Sequence, residues 1–119
     1  MTRNISPLAS VDPQAVLGDD VSIGPFCVIG PHVRIGAGTR LANNVTVIGH
    51  TTIGEHNVLF PNVVVGAEPQ DVSCKGEPTR VEIGHHNQFR EGVTVNRATT
   101  KENGLTRVGN TCYFMANSH

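Results

Sequence analysis

Aliphatic residues recur at every sixth position through the first half of the chain: Ile5, Val11, Leu17, Ile23, Ile29, Ile35, Leu41, Val47, Ile53, Leu59 and Val65. A helix repeats its apolar face about every 3.6 residues and a strand about every two, so neither alone gives this spacing. The residue after the anchor is glycine at Gly18, Gly24, Gly30, Gly36, Gly54 and Gly66. Two residues before it sits a small or β-branched companion: Ala9, Ala15, Val21, Cys27, Val33, Thr39, Val45, Thr51 and Val63. This is a hexapeptide repeat. It predicts short flat strands joined by tight turns, three to a coil of about 18 residues. Successive coils stack as parallel strands about 4.8 Å apart. Anchor and companion point into a narrow interior, and the glycine takes the corner at positive or crowded dihedrals. The expected winding is left-handed, an exception to the right-handed crossover rule. A sandwich or barrel of short strands would need hairpin turns and irregular spacing, which this in-phase run does not offer.

The repeat breaks twice. After Val65 comes a segment with Pro69, Gly76 and Pro78 and no apolar anchor at positions 71 or 77. The pattern returns at Val81-Glu82-Ile83-Gly84, with Ile83, Phe89 and Val95 as anchors. A second polar stretch, Arg97-Ala98-Thr99-Thr100-Lys101-Glu102-Asn103-Gly104, shifts the register before Val108 and Phe114. The chain then reaches Ala116-Asn117-Ser118-His119 in mid-coil, without the polar cap that terminal repeats need. The expectation is one all-β domain over 1–119: a single-stranded left-handed parallel β-helix, incomplete at its C-terminus, with loop excursions near 67–80 and 97–105. On a regular scaffold such excursions are where function is expected.

Composition narrows the class of partner. A thin prism of 119 residues has little interior, so self-association, as a homotrimer, is the expected way to cover its faces. A formal charge of -1 and no basic stripe argue against nucleic acid. No stretch approaches the roughly 20 apolar residues of a membrane span, and the start lacks the apolar core of a signal peptide. The three cysteines, Cys27, Cys74 and Cys112, are widely spaced, with Cys27 at an inward position. They point to structural thiols in a reduced, cytoplasmic protein.

The segments IGPFCVIGPHV (23–33), QDVSCKGEPTRVEIG (70–84), REGVTVNRAT (90–99), GLTRVG (104–109) and MANSH (115–119) carry more specific information. Together they resemble the amino-terminal half of the UDP-N-acetylglucosamine O-acyltransferases, which perform the first step of lipid A synthesis. The two interruptions, in this order and spacing, distinguish that family from other hexapeptide-repeat enzymes. The resemblance implies transfer of a (3R)-3-hydroxyacyl chain from acyl carrier protein to the 3-hydroxyl of UDP-N-acetylglucosamine, by a homotrimer and with no metal or organic cofactor. The chemistry needs a base for the sugar hydroxyl and a stabiliser for the thioester oxyanion. In the family the base is a histidine in a motif reading roughly N-x-H-I-x-H-D-C. Asn117-Ser118-His119 matches its opening, so His119 corresponds to the substrate-holding first histidine. The base is then expected just past His119, together with further coils and a helical domain, and the 119 residues alone are expected to be inactive.

The resemblance also gives roles to other residues. Gln70 and Asp71 match a loop pair that contacts and orients the sugar. Ser73 stands where the family commonly has a lysine near the sugar nucleotide, with Lys75 two residues further on. Asn96 occupies a position that is histidine or asparagine in the family; it positions but cannot titrate. Ala98 replaces a usual glycine after Arg97. Two other readings remain: a non-catalytic hexapeptide scaffold, and a zinc site between subunits like that of γ-type carbonic anhydrases. His32, His50 and His56 fall outside the inward positions and are expected to be solvated or to face a neighbouring subunit. His85 and His86, being adjacent, are expected on opposite strand faces and unable to chelate one ion.

Overall fold

The computed structural model describes residues 4–67, 80–96 and 105–116. Within them the chain forms only short strands: β1 (Asn4–Ile5), β2 (Ser10–Val11), β3 (Val16–Leu17), β4 (Ser22–Ile23), β5 (Val28–Ile29), β6 (Val33–Ile35), β7 (Arg40–Leu41) and β8 (Thr46–Val47) in the first half. The second half adds β9 (His50–Ile53), β10 (Val58–Leu59), β11 (Val64–Ala67), β12 (Arg80–Ile83), β13 (Gln88–Phe89), β14 (Thr94–Asn96), β15 (Leu105–Val108) and β16 (Tyr113–Phe114). Every third strand pairs in parallel. The first face runs β1-β4-β7-β10-β13-β16, the second β2-β5-β8-β11-β14 and the third β3-β6-β9-β12-β15. This is a three-sided parallel β-helix.

The register follows the anchors. Ile5, Ile23, Leu41, Leu59, Phe89 and Phe114 are consecutive ladder partners on the first face. Each coil donates to carbonyls of the next, as Gly24 N to Leu41 O (2.9 Å) and Ala42 N to Leu59 O (2.9 Å). The anchors and their companions form one continuous core from Val21 to Val95. Burying each large aliphatic side chain contributes about 1.5–3 kcal/mol, which is what holds so narrow a prism together. Phe89 is fully buried and stacks on Phe114 at 4.8 Å.

Two features differ from the expectation. Most repeat glycines do not turn the corner at positive φ. They lie where the next coil presses on them: a Cβ on Gly24 would sit 2.6 Å from Ala42 O, and one on Gly36 2.7 Å from Gly54 C and O. The left-handed residue comes two positions later, at Asp20, Phe26, Asn44, His56, Asn62, His86 and Thr111. The second difference is inside. Thr39, Thr51, Asn57 and Asn87 are fully buried among the hydrophobic companions. Three of them cap glycine carbonyls one coil on at the corner between the third and first faces: Thr39 Oγ1 to Gly54 O (2.8 Å), Asn57 Nδ2 to Gly84 O (2.9 Å) and Asn87 Nδ2 to Gly109 O (2.8 Å), while Thr51 Oγ1 donates to Ile48 O (2.8 Å).

Cys27 is buried as expected and its thiol donates to Ala42 O at 3.0 Å. Burial pushes the thiol pKa up, which keeps it in the unreactive protonated form. In the folded protein Cys27 is expected to resist a thiol reagent that labels the half-exposed Cys112; peptide mass spectrometry after timed labelling reads both rates. Equal labelling of the two would contradict the buried placement.

Candidate functional site

Both breaks in the repeat open at one corner. Between β11 and β12, and again one coil on between β14 and β15, the chain passes from the second face to the third. The departure is marked by a bulge. Val65 pairs with Val95 and Ala67 with Asn96, leaving Gly66 over at φ +86°. A Cβ there would collide with Ile48 O and Thr51 Oγ1, so only glycine fits. On the far side of the break Arg80 pairs with His50 below and Leu105 above. The backbone at Ala67, Arg80, Asn96 and Leu105 therefore marks where the described chain leaves and re-enters the prism at this corner.

Of the residues singled out from the sequence, Asn96 ends β14 beside Ala67, at that corner. Gln70, Asp71, Ser73, Lys75 and His119 lie outside the described residues. What the described residues add is a polar column that sequence reasoning left as scattered histidines. His32 and His50 stack with ring centroids 4.3 Å apart and 11° between planes. Their separation of one 18-residue coil was the available signal. Together with Gln14, Pro31, Val16 and Arg34 they wall a cavity of 230 Å³. Arg80 follows His50 in the same ladder. A second stack, His56 on His86, has centroids 5.3 Å apart at the opposite end of the third face.

His85 and His86 are not on a strand but in the turn after β12, and both are exposed. His85 Nδ1 accepts from Glu55 N at 2.7 Å and its backbone N donates to Asn110 Oδ1. A larger cavity of 410 Å³ opens on the third face beside them, crossed by the Glu82–Arg107 pair at 3.2 Å. On the first face the Arg90 guanidinium lies 4.5 Å over the Phe60 ring and donates to Glu91 and to Tyr113 Oη (2.8 Å). The bond to Glu91 holds Arg90 above its usual range, while hydrogen bonds from its own backbone and from Arg90 hold Glu91 below. Among the described residues no three of His, Cys, Asp and Glu come together as a metal site, and no helix is long and apolar enough to cross a membrane.

Residues 14–49 match the bacterial transferase hexapeptide family (six repeats). An acyl-[acyl-carrier-protein]--UDP-N-acetylglucosamine O-acyltransferase of Thermodesulfovibrio yellowstonii is 44% identical over 124 residues, covering 99% of this chain and 43% of the relative. This chain is similar to UDP-N-acetylglucosamine O-acyltransferases along almost its whole length. The solved structure of LpxA from Acinetobacter baumannii superposes with a TM-score of 0.93 at 46% identity, over 95% of this chain and 44% of that one. LpxA from Bacteroides fragilis, a UDP-N-acetylglucosamine acyltransferase, gives 0.90 at 43% identity, over 94% and 44%. The likeness bears out the left-handed β-helix. The chain spans less than half the length of the curated acyltransferases it matches.

Proposed function

We propose that the protein takes part in acyl transfer from acyl carrier protein to the 3-hydroxyl of UDP-N-acetylglucosamine, the entry into lipid A synthesis, as a homotrimer in the cytoplasm. The observation that carries this reading is the near-complete match to relatives bearing that activity in their names, at 44–45% identity. The two breaks in the repeat support it, because both open at one corner and bring their ends together around Ala67 and Asn96.

In this reading the sugar oxygen attacks the thioester carbonyl carbon, its proton passes to a base, the C–S bond breaks and the carrier leaves as its thiol. A (3R)-3-hydroxyacyl chain is the acyl group. Gln70 and Asp71 hold the sugar by accepting and donating hydrogen bonds at its hydroxyls. Asn96, unable to titrate, positions the substrate. His119 helps hold the sugar and opens the histidine motif to which the base belongs. Ser73 contacts the substrate as a neutral hydroxyl and supplies no charge to the sugar nucleotide. Binding needs no cofactor.

Asp71→Ala is expected to raise KM for UDP-N-acetylglucosamine and lower kcat/KM about 10- to 100-fold, the cost of one lost charge-assisted contact. Steady-state acylation with acyl carrier protein substrate measures this in the trimeric enzyme. An unchanged kcat/KM would remove Asp71 from the site, and no acylation of the sugar nucleotide by a trimer that also carries the histidine base would overturn the function.

A further inference from the structure

The column at the corner below the first break gathers imidazole and guanidinium N–H donors. His32 and His50 stack on adjacent coils, and between them and Gln14 the cavity of 230 Å³ opens to solvent. It is roomy for one tetrahedral oxyanion. Each imidazole brings a ring N–H donor and Arg34 adds its planar fork of five, the side chain best matched to phosphate oxygens. Arg34 makes no ion pair among the described residues, nor does Arg80, which follows His50 in the ladder. None of the described residues walling the cavity is a carboxylate. The nearest acid in sequence, Asp12, accepts from Gln14 N at 2.9 Å. Pro31 and Val16 give the cavity an apolar flank.

Other surfaces offer less. The 410 Å³ cavity already holds a balanced Glu82–Arg107 pair, so it presents no net charge to a ligand. The exposed apolar residues Leu8 and Phe26 have nothing around them that says what covers them. The second histidine stack, His56 on His86, has no arginine within two residues of either ring in sequence, and Glu55 adjoins His56.

We propose that the cavity walled by His32, Arg34 and His50 binds a phosphate group. Its apolar flank favours a phosphate carried on an organic chain over the free ion. Under the acyl-transfer reading two substrates bring such a group: the diphosphate of the sugar nucleotide and the phosphodiester of the carrier's phosphopantetheine arm. Naming those two sources rests on that reading; the phosphate chemistry does not.

The test is a titration of the purified protein with pyrophosphate at constant ionic strength, followed by the ring nitrogen and carbon resonances of its histidines. The rings of His32 and His50 are expected to shift and saturate while those of His56 and His86 stay put. Arg34→Gln is expected to weaken the binding roughly tenfold, one charge-assisted contact, with the fold retained by circular dichroism. Equal shifts at all four rings, or unchanged binding in Arg34→Gln, would overturn the site. Titrations with UDP-N-acetylglucosamine and with 4′-phosphopantetheine then assign the source, by which of them reproduces the same shifts. If pyrophosphate binds and neither substrate does, the assignment to both sources falls. No turnover is read, so failure here leaves the acyl-transfer reading where it stands, and loss of acylation activity leaves the phosphate site standing.

Discussion

Replacing Asn57 by leucine, a side chain of similar size, is expected to cost about 2–6 kcal/mol of stability although it makes the interior more apolar. Asn57 is fully buried at the corner between the third and first faces. Its Nδ2 donates to Gly84 O at 2.9 Å, and its Oδ1 accepts from Asn87 N at 2.9 Å. Leucine leaves both backbone groups inside the prism without a partner, and each orphan costs about 1–3 kcal/mol. The damage spreads along the column, because Asn87 in turn holds Gly109 O (2.8 Å) and Cys112 N (2.7 Å). Thr39 does the same work with one hydroxyl, donating to Gly54 O. Asn57→Thr is therefore expected to lose less than Asn57→Leu, since one of the two bonds can be remade. Thermal unfolding followed by circular dichroism ranks the three proteins. Asn57→Leu melting with wild type would show that the amide column contributes nothing.

The amide column also shows where the sequence stopped being legible. The six-residue spacing of aliphatic side chains was enough to assign the strands, their parallel order and their register. Ile5, Ile23, Leu41 and Leu59 had to share a ladder once three strands made a coil, and they do. Asn57 and Asn87 occupy companion positions in that repeat, yet asparagine is normally an outward residue. Their burial makes sense only when a glycine carbonyl of the next coil stands within reach, and that carbonyl is about 27 or 22 residues away in sequence. Spacing arguments do not see such partners.

The turns were misjudged for a related reason. Glycine after the anchor was expected at positive or crowded dihedrals, and at most positions it is the crowding between coils, not a positive φ, that it serves. The positive φ falls to Asp20, Asn44 and Asn62, which tolerate it better than other side chains, and to His56 and His86. That Asn, Asp and His recur three residues after an anchor was visible and unread. For the site, the sequence indicated two breaks but not that both leave by one corner. That followed from counting faces in the fold, as did the stacking of His32 on His50. The roles given to Gln70, Asp71, Ser73 and His119 rest on resemblance and belong to the proposed function.

Gly66→Ala is expected to cost about 2–5 kcal/mol, whereas Gly30→Ala, at the same place in the repeat, is expected to be neutral or slightly stabilising. Both glycines follow a second-face anchor, Ile29 in one coil and Val65 in another. At Gly30 the nearest atom to an added Cβ is Ile48 Cα at 3.5 Å, an ordinary contact, and φ is not positive. At Gly66 φ is +86° and the Cβ would strike Ile48 O, which already accepts from Thr51 Oγ1 at 2.8 Å. A backbone oxygen cannot step aside as a flexible side chain can, so the chain at Gly66 must move. Movement there undoes the bulge that sets Ala67 opposite Asn96. The loss should therefore appear as a lower melting temperature and, under the acyl-transfer reading and in a trimer that carries the base, also as a fall in kcat/KM while the variant is still folded. Gly30→Ala controls for both readouts, since it changes the same repeat position without touching the corner. If the two variants behave alike, the bulge is not what places the strand ends around the site.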